Sequence, residues 1–287
     1  MSKKIILFVA GFLFVLNIFA WQEVFSLNSP HYLKVDFLDV GQGDSTFIQT
    51  PENHQILIDG GPDESALQEI SLLMPFWDKD LDLVILTHPE ADHMQGLLDI
   101  LQRYKVDYIL WSGIKKTTPD YQAWISAIER QKKMGAKIIV AEAGQEIKLG
   151  KVLINVISPL ENVEDKEFKN TSNDTCIVAK LIYGENSFLF TGDISAKTEK
   201  ELVSSRENIY VDVLKVAHHG SKYSTSDLFL AALEPKIAVI SVGAKNTYGH
   251  PTPEVLQRLD KFGIKVERTD TNGNVDFVSD GNKLYAQ

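Results

Sequence analysis

The sequence predicts a four-layer α/β protein (αββα), in which two β-sheets pack against each other and helices cover their outer faces. Short β-patterned runs alternate with amphipathic helical windows from residue 32 onward. This region opens with three consecutive β-runs, whereas the alternative, a doubly wound parallel sheet, would open strand-helix-strand. The continuous apolar runs at 83–87 and 237–242 also require cover on both faces of their sheets.

The composition is that of a folded, acidic protein. Of the 287 residues, 44% are hydrophobic, which is enough for a sizeable core. The formal net charge of −10 repels nucleic acid, so a polyanionic substrate would need a local basic patch or a bound cation. Cys176 is the single cysteine, which excludes an internal disulfide and a cysteine-based zinc cluster. Histidines and carboxylates would therefore have to hold any metal.

The first 21 residues differ from the rest of the chain. Lys3 and Lys4 precede an apolar run that is interrupted only by Asn17, a layout typical of a signal anchor or transmembrane helix. Residues 22–31 would then form a tether to a domain at 32–287. Because the lysines favour the cytoplasmic side, we expect this domain to be membrane-anchored and extracytoplasmic. The alternatives are a secreted protein, if residues 1–20 are cleaved, and a buried core helix.

After the tether, the predicted elements follow in order. The opening meander covers the strands 33–40, 45–50 and 54–61. Three helical windows come next, each followed by a strand. The third window begins after Thr118 and stops at Gly135. The windows are 63–77, 94–104 and 119–135, and the strands are 81–88, 106–112 and 136–144.

The second half of the chain repeats this alternation. Four β-runs precede the first helix, single strands separate the remaining helices, and three β-runs end the chain. The predicted strands are 146–150, 151–158, 175–183, 186–193, 211–219 and 236–243, and the predicted helices are 195–205, 225–234 and 253–262.

Polar clusters follow several of these strands. His88, Glu90, Asp92 and His93 lie within six residues after the strand at 81–88. The other candidates at strand ends or in the following loops are Asp59, Asp193, His218, His219 and His250. A divalent ion needs donors that converge from different segments, and strand ends position such donors well. A bound ion would lower the pKa of its water to roughly 7 and would neutralise a phosphate.

The first cluster divides between two neighbouring metal positions. His88 and Glu90 are two residues apart on extended backbone and can point the same way, while Asp92 and His93 are placed by the helix that follows. A lone histidine is usually a satisfied polar residue, but three such clusters favour metal binding. A dinucleotide site is weakly supported, because "DVGQGDS" lacks a third glycine, and no G-x-S-x-G motif supports a serine nucleophile. His31 and His54 are expected to be surface residues.

The motifs as a set resemble those of a known family. "HPEADH", with "IDGG" upstream and "TGD" downstream, is similar to the metallo-β-lactamase superfamily, whose usual signature is H-x-H-x-D-H. More closely, the chain from Leu33 to Phe277 resembles the C-terminal hydrolase-like domain of the ComEC competence family. The motifs that carry this resemblance are "FLDVGQGDS", "ILIDGG", "LTHPEADHMQGL", "SNDTCIVAKL", "FLFTGDI", "LKVAHHGS" and "YGHPTPEVLQRL".

The resemblance implies the metallo-β-lactamase fold and a set of site residues. Asp92 and His93 would be catalytic, and Asp193 would bridge two ions. The implied metal ligands are His88, Glu90, Asp92, His93, Asp193, His219 and His250, with Asp59, Asn173 and His218 supporting them. Glu90 stands where the general signature has histidine and the ComEC branch usually has aspartate. Asn173 lies where classical members carry a mid-chain histidine ligand.

The expected function is that of a metal-dependent hydrolase, a phosphodiesterase or nuclease that uses metal-activated water. One or two divalent ions, Zn²⁺ or Mn²⁺, would serve as cofactors. Mn²⁺ is as suitable as Zn²⁺ because the ligand set is rich in oxygen. DNA or another phosphodiester would be the substrate, the membrane would be contacted through the N-terminal helix, and no feature indicates an obligate protein partner. The alternative is a degenerate binding module of the same fold for DNA or a partner protein. Hydrolysis of β-lactams or thioesters shares the fold but has no sequence feature in its favour.

Overall fold

The computed structural model describes residues 2–28, 32–168, 172–205 and 208–287. The chain divides into two compact units, residues 1–31 and 32–287. The described part of the first unit forms one helix, α1 (Lys3–Asn28). This helix covers most of the segment that was predicted as a tether, and the rest of that segment, 29–31, lies outside the described residues.

The predicted membrane span is not supported by the structure. A spanning helix needs about 20 consecutive apolar residues. In the part of the chain that the structure describes, no helix combines the length and the apolar character needed to cross a bilayer.

The first sheet of the second unit is mixed. Its strands in the described residues are β1 (Leu33–Phe37), β2 (Thr46–Gln49), β3 (Gln55–Ile58), β4 (Asp80–Leu86), β5 (Lys105–Trp111), β6 (Lys137–Val140), β14 (Val275–Ser279) and β15 (Leu284–Ala286). Across the sheet the order is β15-β14-β1-β2-β3-β4-β5-β6. The pairs from β15 to β3 are antiparallel and those from β3 to β6 are parallel. The predicted opening meander is therefore confirmed, and a doubly wound parallel sheet is wrong.

The second sheet is also mixed. Its described strands are β7 (Glu146–Leu149), β8 (Val152–Ser158), β9 (Val178–Tyr183), β10 (Asn186–Phe190), β11 (Val213–Lys215), β12 (Ile237–Ile240) and β13 (Lys265–Arg268). They run in the order β13-β12-β11-β10-β9-β8-β7. Strands β10 to β13 pair in parallel, while β7 to β10 pair antiparallel.

Helices cover the outer faces of both sheets. Those on the first sheet are α2 (Ser65–Leu73), α3 (Ala91–Arg103) and α4 (Pro119–Lys133). Those on the second are α5 (Ala196–Ser204), α6 (Asp227–Leu233) and α7 (Pro253–Lys261). A short helix that the sequence did not predict, α8 (Thr269–Asn272), lies between β13 and β14. The predicted start of α4 is confirmed, because the Thr118 side chain accepts a hydrogen bond from the backbone N–H of Tyr121.

Among the described residues, three hydrophobic cores correspond to the interfaces between four layers. The central core lies between the sheets, where the ring of Phe277 packs edge-on against Phe37 and Phe188 at centroid distances of 5.9 and 5.7 Å. Trp124 is buried in the core under the first helical layer, and Phe229 in the core under the second. This arrangement confirms the predicted four-layer sandwich. The loops after β3, β4, β10, β11 and β12 meet at one edge of it and form the site.

Candidate metal centre

Four side chains converge where these loops meet. Asp92 and His93 lie in the first turn of α3, Asp193 follows β10, and His219 follows β11. Each offers one ligand atom, and these atoms all lie within 4.8 Å of one another. His93 Nε2 is 3.3 Å from Asp193 Oδ1, and His219 Nε2 is 3.3 Å from Asp92 Oδ2. Asp92 is partly exposed and the other three are buried. We call these four residues the primary cluster.

Hydrogen bonds behind His93 fix its orientation. Its Nδ1 lies 2.8 Å from Asp59 Oδ2. Asp59 is held in turn by the backbone N–H and the hydroxyl of Thr87, at 2.8 and 2.7 Å. Since Asp59 accepts the Nδ1 proton of His93, the Nε2 lone pair faces the primary cluster. Asp59 thus contacts His93 from the side away from the primary cluster, and its predicted supporting role stays a prediction.

His219 is oriented in the same way by the backbone. Its Nδ1 donates to the carbonyl oxygen of Ser241 at 2.8 Å, which turns Nε2 toward Asp92 and toward Asp193 Oδ2, 3.6 Å away. His218 and His219 have φ angles of 52° and 54°, in the left-handed region. This conformation costs a non-glycine residue on the order of 1 kcal/mol. Here it places successive imidazoles on one side of Asp193.

His88 presents a free nitrogen. Its Nδ1 lies 3.1 Å from the Thr87 hydroxyl, whose single hydrogen is donated to Asp59. Thr87 must therefore accept the Nδ1 proton, which leaves a lone pair on His88 Nε2. Burial lowers the pKa of His88 to about 3, so the imidazole is neutral. Its ring lies 4.2 Å from that of His93.

The donor set fits a divalent cation. Within the described residues, His88 Nε2, His93 Nε2 and Asp193 Oδ1 are buried without a hydrogen-bond partner. An unsatisfied buried polar group costs about 1–3 kcal/mol, and a cation would satisfy several such groups at once. Imidazole and carboxylate together suit Zn²⁺ and Mn²⁺. Divalent metal binding is thus consistent with the structure, without selecting the ion.

The pKa shifts within the primary cluster also indicate that it suits a divalent cation. Burial by itself raises the pKa of Asp193, but the imidazoles of His219 and His93 hold it well below its ordinary value. Burial lowers the pKa of His219, yet the carboxylates of Asp193 and Asp44 raise it to about 10. The same carboxylates raise the pKa of His93 well above its usual range against the effect of burial. A divalent cation would take the place of these protons.

Two buried residues of the site were not predicted from the sequence. Lys215, at the end of β11, is 3% exposed and pairs with Asp44. Its Nζ also lies 3.9 Å from Asp193 Oδ1. Asp44 Oδ1 lies 3.3 Å from His219 Nδ1, and Asp44 forms a second group of candidate ligand atoms with Asp59 and His93. A lysine between Leu214 and Val216 in a buried strand was the sequence signal for this pair.

Glu90 is placed differently from the primary cluster. Its Oε1 accepts from Lys116 Nζ and from the Ser172 hydroxyl, both at 2.5 Å. This oxygen is therefore already bound by two side chains. The role of Glu90 as a metal ligand stays a prediction.

His218 and His250 lie at different distances from the primary cluster. His218 Nε2 lies 3.7 Å from Asp193 Oδ2, and its Nδ1 is 3.5 Å from Asn173 Nδ2. The ring of His250 lies 5.7 Å from that of His218, and His250 is not among the ligand atoms of the primary cluster. His218 thus lies close to Asp193, and its predicted supporting role stays a prediction. The ligand role of His250 remains a prediction.

The chain is similar in sequence to known proteins. The sequence profile of the metallo-beta-lactamase superfamily matches residues 38–244. The chain is 34% identical over 262 residues to the ComE operon protein 3 of Bacillus subtilis, covering 85% of this chain and 33% of that protein. It is 31% identical over 242 residues to the competence protein ComA of Neisseria gonorrhoeae, covering 83% of this chain and 31% of that protein. The chain thus spans about a third of the length of these relatives.

Solved structures share the fold. The metallo-beta-lactamase fold protein YhfI from Bacillus subtilis superposes with a TM-score of 0.56 at 14% identity, over 89% of this chain and 100% of that one. CmlA from Streptomyces venezuelae gives a TM-score of 0.51 at 15% identity, over 84% of this chain and 53% of that one. The motif order, the sandwich and the profile match lead to one conclusion: this chain belongs to the metallo-beta-lactamase superfamily and is homologous to the ComEC family.

Proposed function

We propose that this chain is a metal-dependent hydrolase that cleaves phosphodiester bonds, with DNA as its substrate. The observation that supports this proposal is the primary cluster, Asp92, His93, Asp193 and His219, whose ligand atoms lie within 4.8 Å of one another. A divalent ion held there would polarise a phosphoryl oxygen and acidify a water molecule.

The solvent exposure of each side chain indicates whether it would hold the ion or contact the substrate. His93 is fully buried, so it would hold the ion and would not touch the substrate. The Asp92 side chain is 35% exposed and can accept a proton from the attacking water at the solvent side. His218 is also 35% exposed, and its Nε2 lies 3.7 Å from Asp193 Oδ2, so it can contact the phosphate at the solvent side of the cluster.

The names of the relatives support DNA as the substrate. The relative from Neisseria gonorrhoeae is named competence protein ComA, and one from Haemophilus influenzae is named recombination protein 2. The formal charge of −10 means that a polyanion must meet a local cation. The proposed ion would supply that cation.

The test is hydrolysis of bis(p-nitrophenyl) phosphate and of single-stranded DNA by the full chain with Mn²⁺ or Zn²⁺ added. We expect Asp92→Ala to lower the rate at least about a hundredfold. The matched control is Asp99→Ala, which removes an exposed carboxylate from the same helix and should leave the rate unchanged. If the folded, ion-loaded chain hydrolyses neither substrate, the proposal fails.

The alternative, a binding module that retains the fold without catalysis, is favoured by one observation. Glu90, predicted as a ligand, is engaged by Lys116 and Ser172. Under this alternative the purified chain would contain no metal and would still bind single-stranded DNA. Metal analysis together with a DNA-binding titration in the presence of a chelator separates the two functions.

A further inference from the structure

On one side of the candidate metal centre, the ammonium group of Lys116 pairs with Glu90, a predicted metal ligand. The Oε1 atom of Glu90 accepts from Lys116 Nζ at 2.5 Å, from the Ser172 hydroxyl at 2.5 Å and from the Ser172 N–H at 3.4 Å. Three donors on one oxygen saturate it, and the ammonium neutralises the carboxylate.

Both donors are fixed in place. The Lys116 side chain is 12% exposed, and its Nζ also donates to the carbonyl oxygen of Pro89 at 3.4 Å. Lys116 lies two residues before Thr118, the N-cap of α4. Ser172 is fully buried, and its carbonyl accepts from the hydroxyl of Thr175 at 2.6 Å. The contact with Glu90 is therefore held by its surroundings and does not depend on two freely moving surface side chains.

The two predicted metal positions consequently differ in their charge. The primary cluster has its four ligand atoms together. The neighbouring position, predicted from His88 and Glu90, has an available nitrogen on His88 but a carboxylate that is already paired. A second ammonium, that of Lys215, lies 3.9 Å from Oδ1 of Asp193, the carboxylate predicted to bridge two ions. Each of these two ammonium groups would repel a second cation at short range, where solvent screens the repulsion only weakly.

We propose that Lys116 is a built-in competitor of a second metal ion at Glu90. The centre then takes up one divalent ion tightly at the primary cluster, and a second one at His88 and Glu90 only weakly. This inference rests on the proposed metal-dependent function, and it assigns a role to a residue outside the ligand set.

The test is calorimetric titration of the chelator-treated full chain with Mn²⁺, with the bound ions counted by metal analysis. We expect one tight site in the wild-type chain and a second site that is at least roughly tenfold weaker. Lys116→Met should strengthen the second site roughly tenfold, because it frees the carboxylate and removes the repelling charge. Ser172→Ala should act in the same direction and provides a second variant if Lys116→Met does not fold.

The matched control is Lys115→Met. It removes the same charge from the neighbouring residue, whose Nζ pairs with Asp165 at 2.9 Å and whose side chain is 52% exposed. It should leave both sites unchanged, as should Lys116→Arg, which keeps the charge. Two equal sites in the wild-type chain, or no change in Lys116→Met and Ser172→Ala, would overturn this inference but leave the proposed hydrolase intact. A chain that binds no ion would instead overturn the proposed function.

Discussion

At the residue scale, the hydrogen bonds behind the ligands determine which atoms remain free for a metal. His93 and His219 each donate Nδ1–H away from the cluster, to Asp59 and to the Ser241 carbonyl. Thr87 connects Asp59 with His88. The Thr87 hydroxyl thus helps to orient two imidazoles, that of His88 directly and that of His93 through Asp59.

Removing that hydroxyl should weaken metal binding without removing a ligand. In Thr87→Val, Asp59 loses one of its two donors from Thr87 and His88 Nδ1 loses its acceptor, so both imidazoles are less well oriented. We expect a loss of metal affinity of roughly 10–100-fold, measured by competition with a chelating dye. Thr87→Ser retains the hydroxyl and should bind like the wild-type chain. Unchanged affinity in Thr87→Val would show that the hydrogen-bond chain does not orient the ligands.

The buried pair of Lys215 and Asp44 should dominate the stability of the metal-free protein. Lys215→Met leaves the carboxylate of Asp44 buried beside Asp193, and loss of one partner of a buried pair costs about 3–5 kcal/mol. We expect the double variant Asp44→Asn, Lys215→Met to regain part of that loss. Denaturant unfolding in a chelator measures both. Lys261→Met, which breaks the exposed contact with Asp227, should change stability little, and a similar loss there would contradict the assignment.

The sequence predicted the residue types of the site better than their contacts. Histidines at strand ends are unusual enough to indicate metal binding, and His93, Asp193 and His219 do meet. Asp44 was missed because an aspartate in a Gly-rich loop is ordinarily a turn residue. The contact between Glu90 and Lys116 joins residues 26 positions apart across a β-strand, and no local pattern predicts such a pair.

At the element scale, the start of α3 is positioned by its contact with the loop after β3. The carbonyl of His93 accepts from the N–H of Gly60 at 2.7 Å, and the N–H of Gly96 donates to Gly61 at 3.0 Å. A Cβ on Gly96 would lie 1.9 Å from the carbonyl oxygen of Gly60 and 2.4 Å from that of Asp63. This close backbone contact is what places His93 beside the other ligands.

Gly96→Ala should therefore damage both stability and metal binding. The added methyl group meets backbone atoms, so α3 must move away from the loop. We expect a loss of about 1–3 kcal/mol or more in the free energy of unfolding, together with weaker metal binding. Asp99→Ala, on an exposed position of the same helix, should stay within about 0.5 kcal/mol of the wild-type chain. Wild-type stability in Gly96→Ala would mean that the helix and loop are further apart than described.

The pair of β1 and β14 should make stability depend on pH. Asp36 lies directly opposite Asp276 in this antiparallel pair. Burial and the charge of Asp276 raise the pKa of Asp36 to about 7. The folded state therefore binds this proton more tightly than the unfolded state does, and stability falls as pH rises from about 4 to about 7.

Asp36→Asn removes that penalty. We expect it to raise the free energy of unfolding at pH 8 by roughly 1–3 kcal/mol, with a gain that shrinks toward pH 4. Urea unfolding of both proteins across this range measures the effect. Asp107→Asn, an exposed position on β5, serves as the control. A gain that is independent of pH would rule out titration of Asp36 as its cause.

Secondary structure was predicted well where periodicity and caps agreed, as at α4, and less well at boundaries. The strand predicted at 211–219 ends at Lys215, because His218 and His219 adopt left-handed backbone that no strand can contain. The helix predicted to 77 ends at Leu73, two residues before Pro75, which cannot continue a helix.

At the scale of the whole molecule, the sequence indicated the sandwich because two β-rich halves with separate helical sets need two sheets. It did not indicate that the final strands β14 and β15 return to the first sheet, since that pairing joins residues more than 200 positions apart. The N-terminal helix is present, whereas the extracytoplasmic location that the sequence suggested stays a prediction.

We propose that an ion at the primary cluster makes this chain a phosphodiester hydrolase. The most direct test titrates the chelator-treated full chain with Mn²⁺ and follows bound ion and hydrolysis of bis(p-nitrophenyl) phosphate in the same samples. We predict that the rate rises in proportion to the first equivalent bound, and that Asp193→Asn loses both binding and rate. A folded chain that fills its first site and hydrolyses nothing, or one whose rate is independent of bound ion, would contradict the claim.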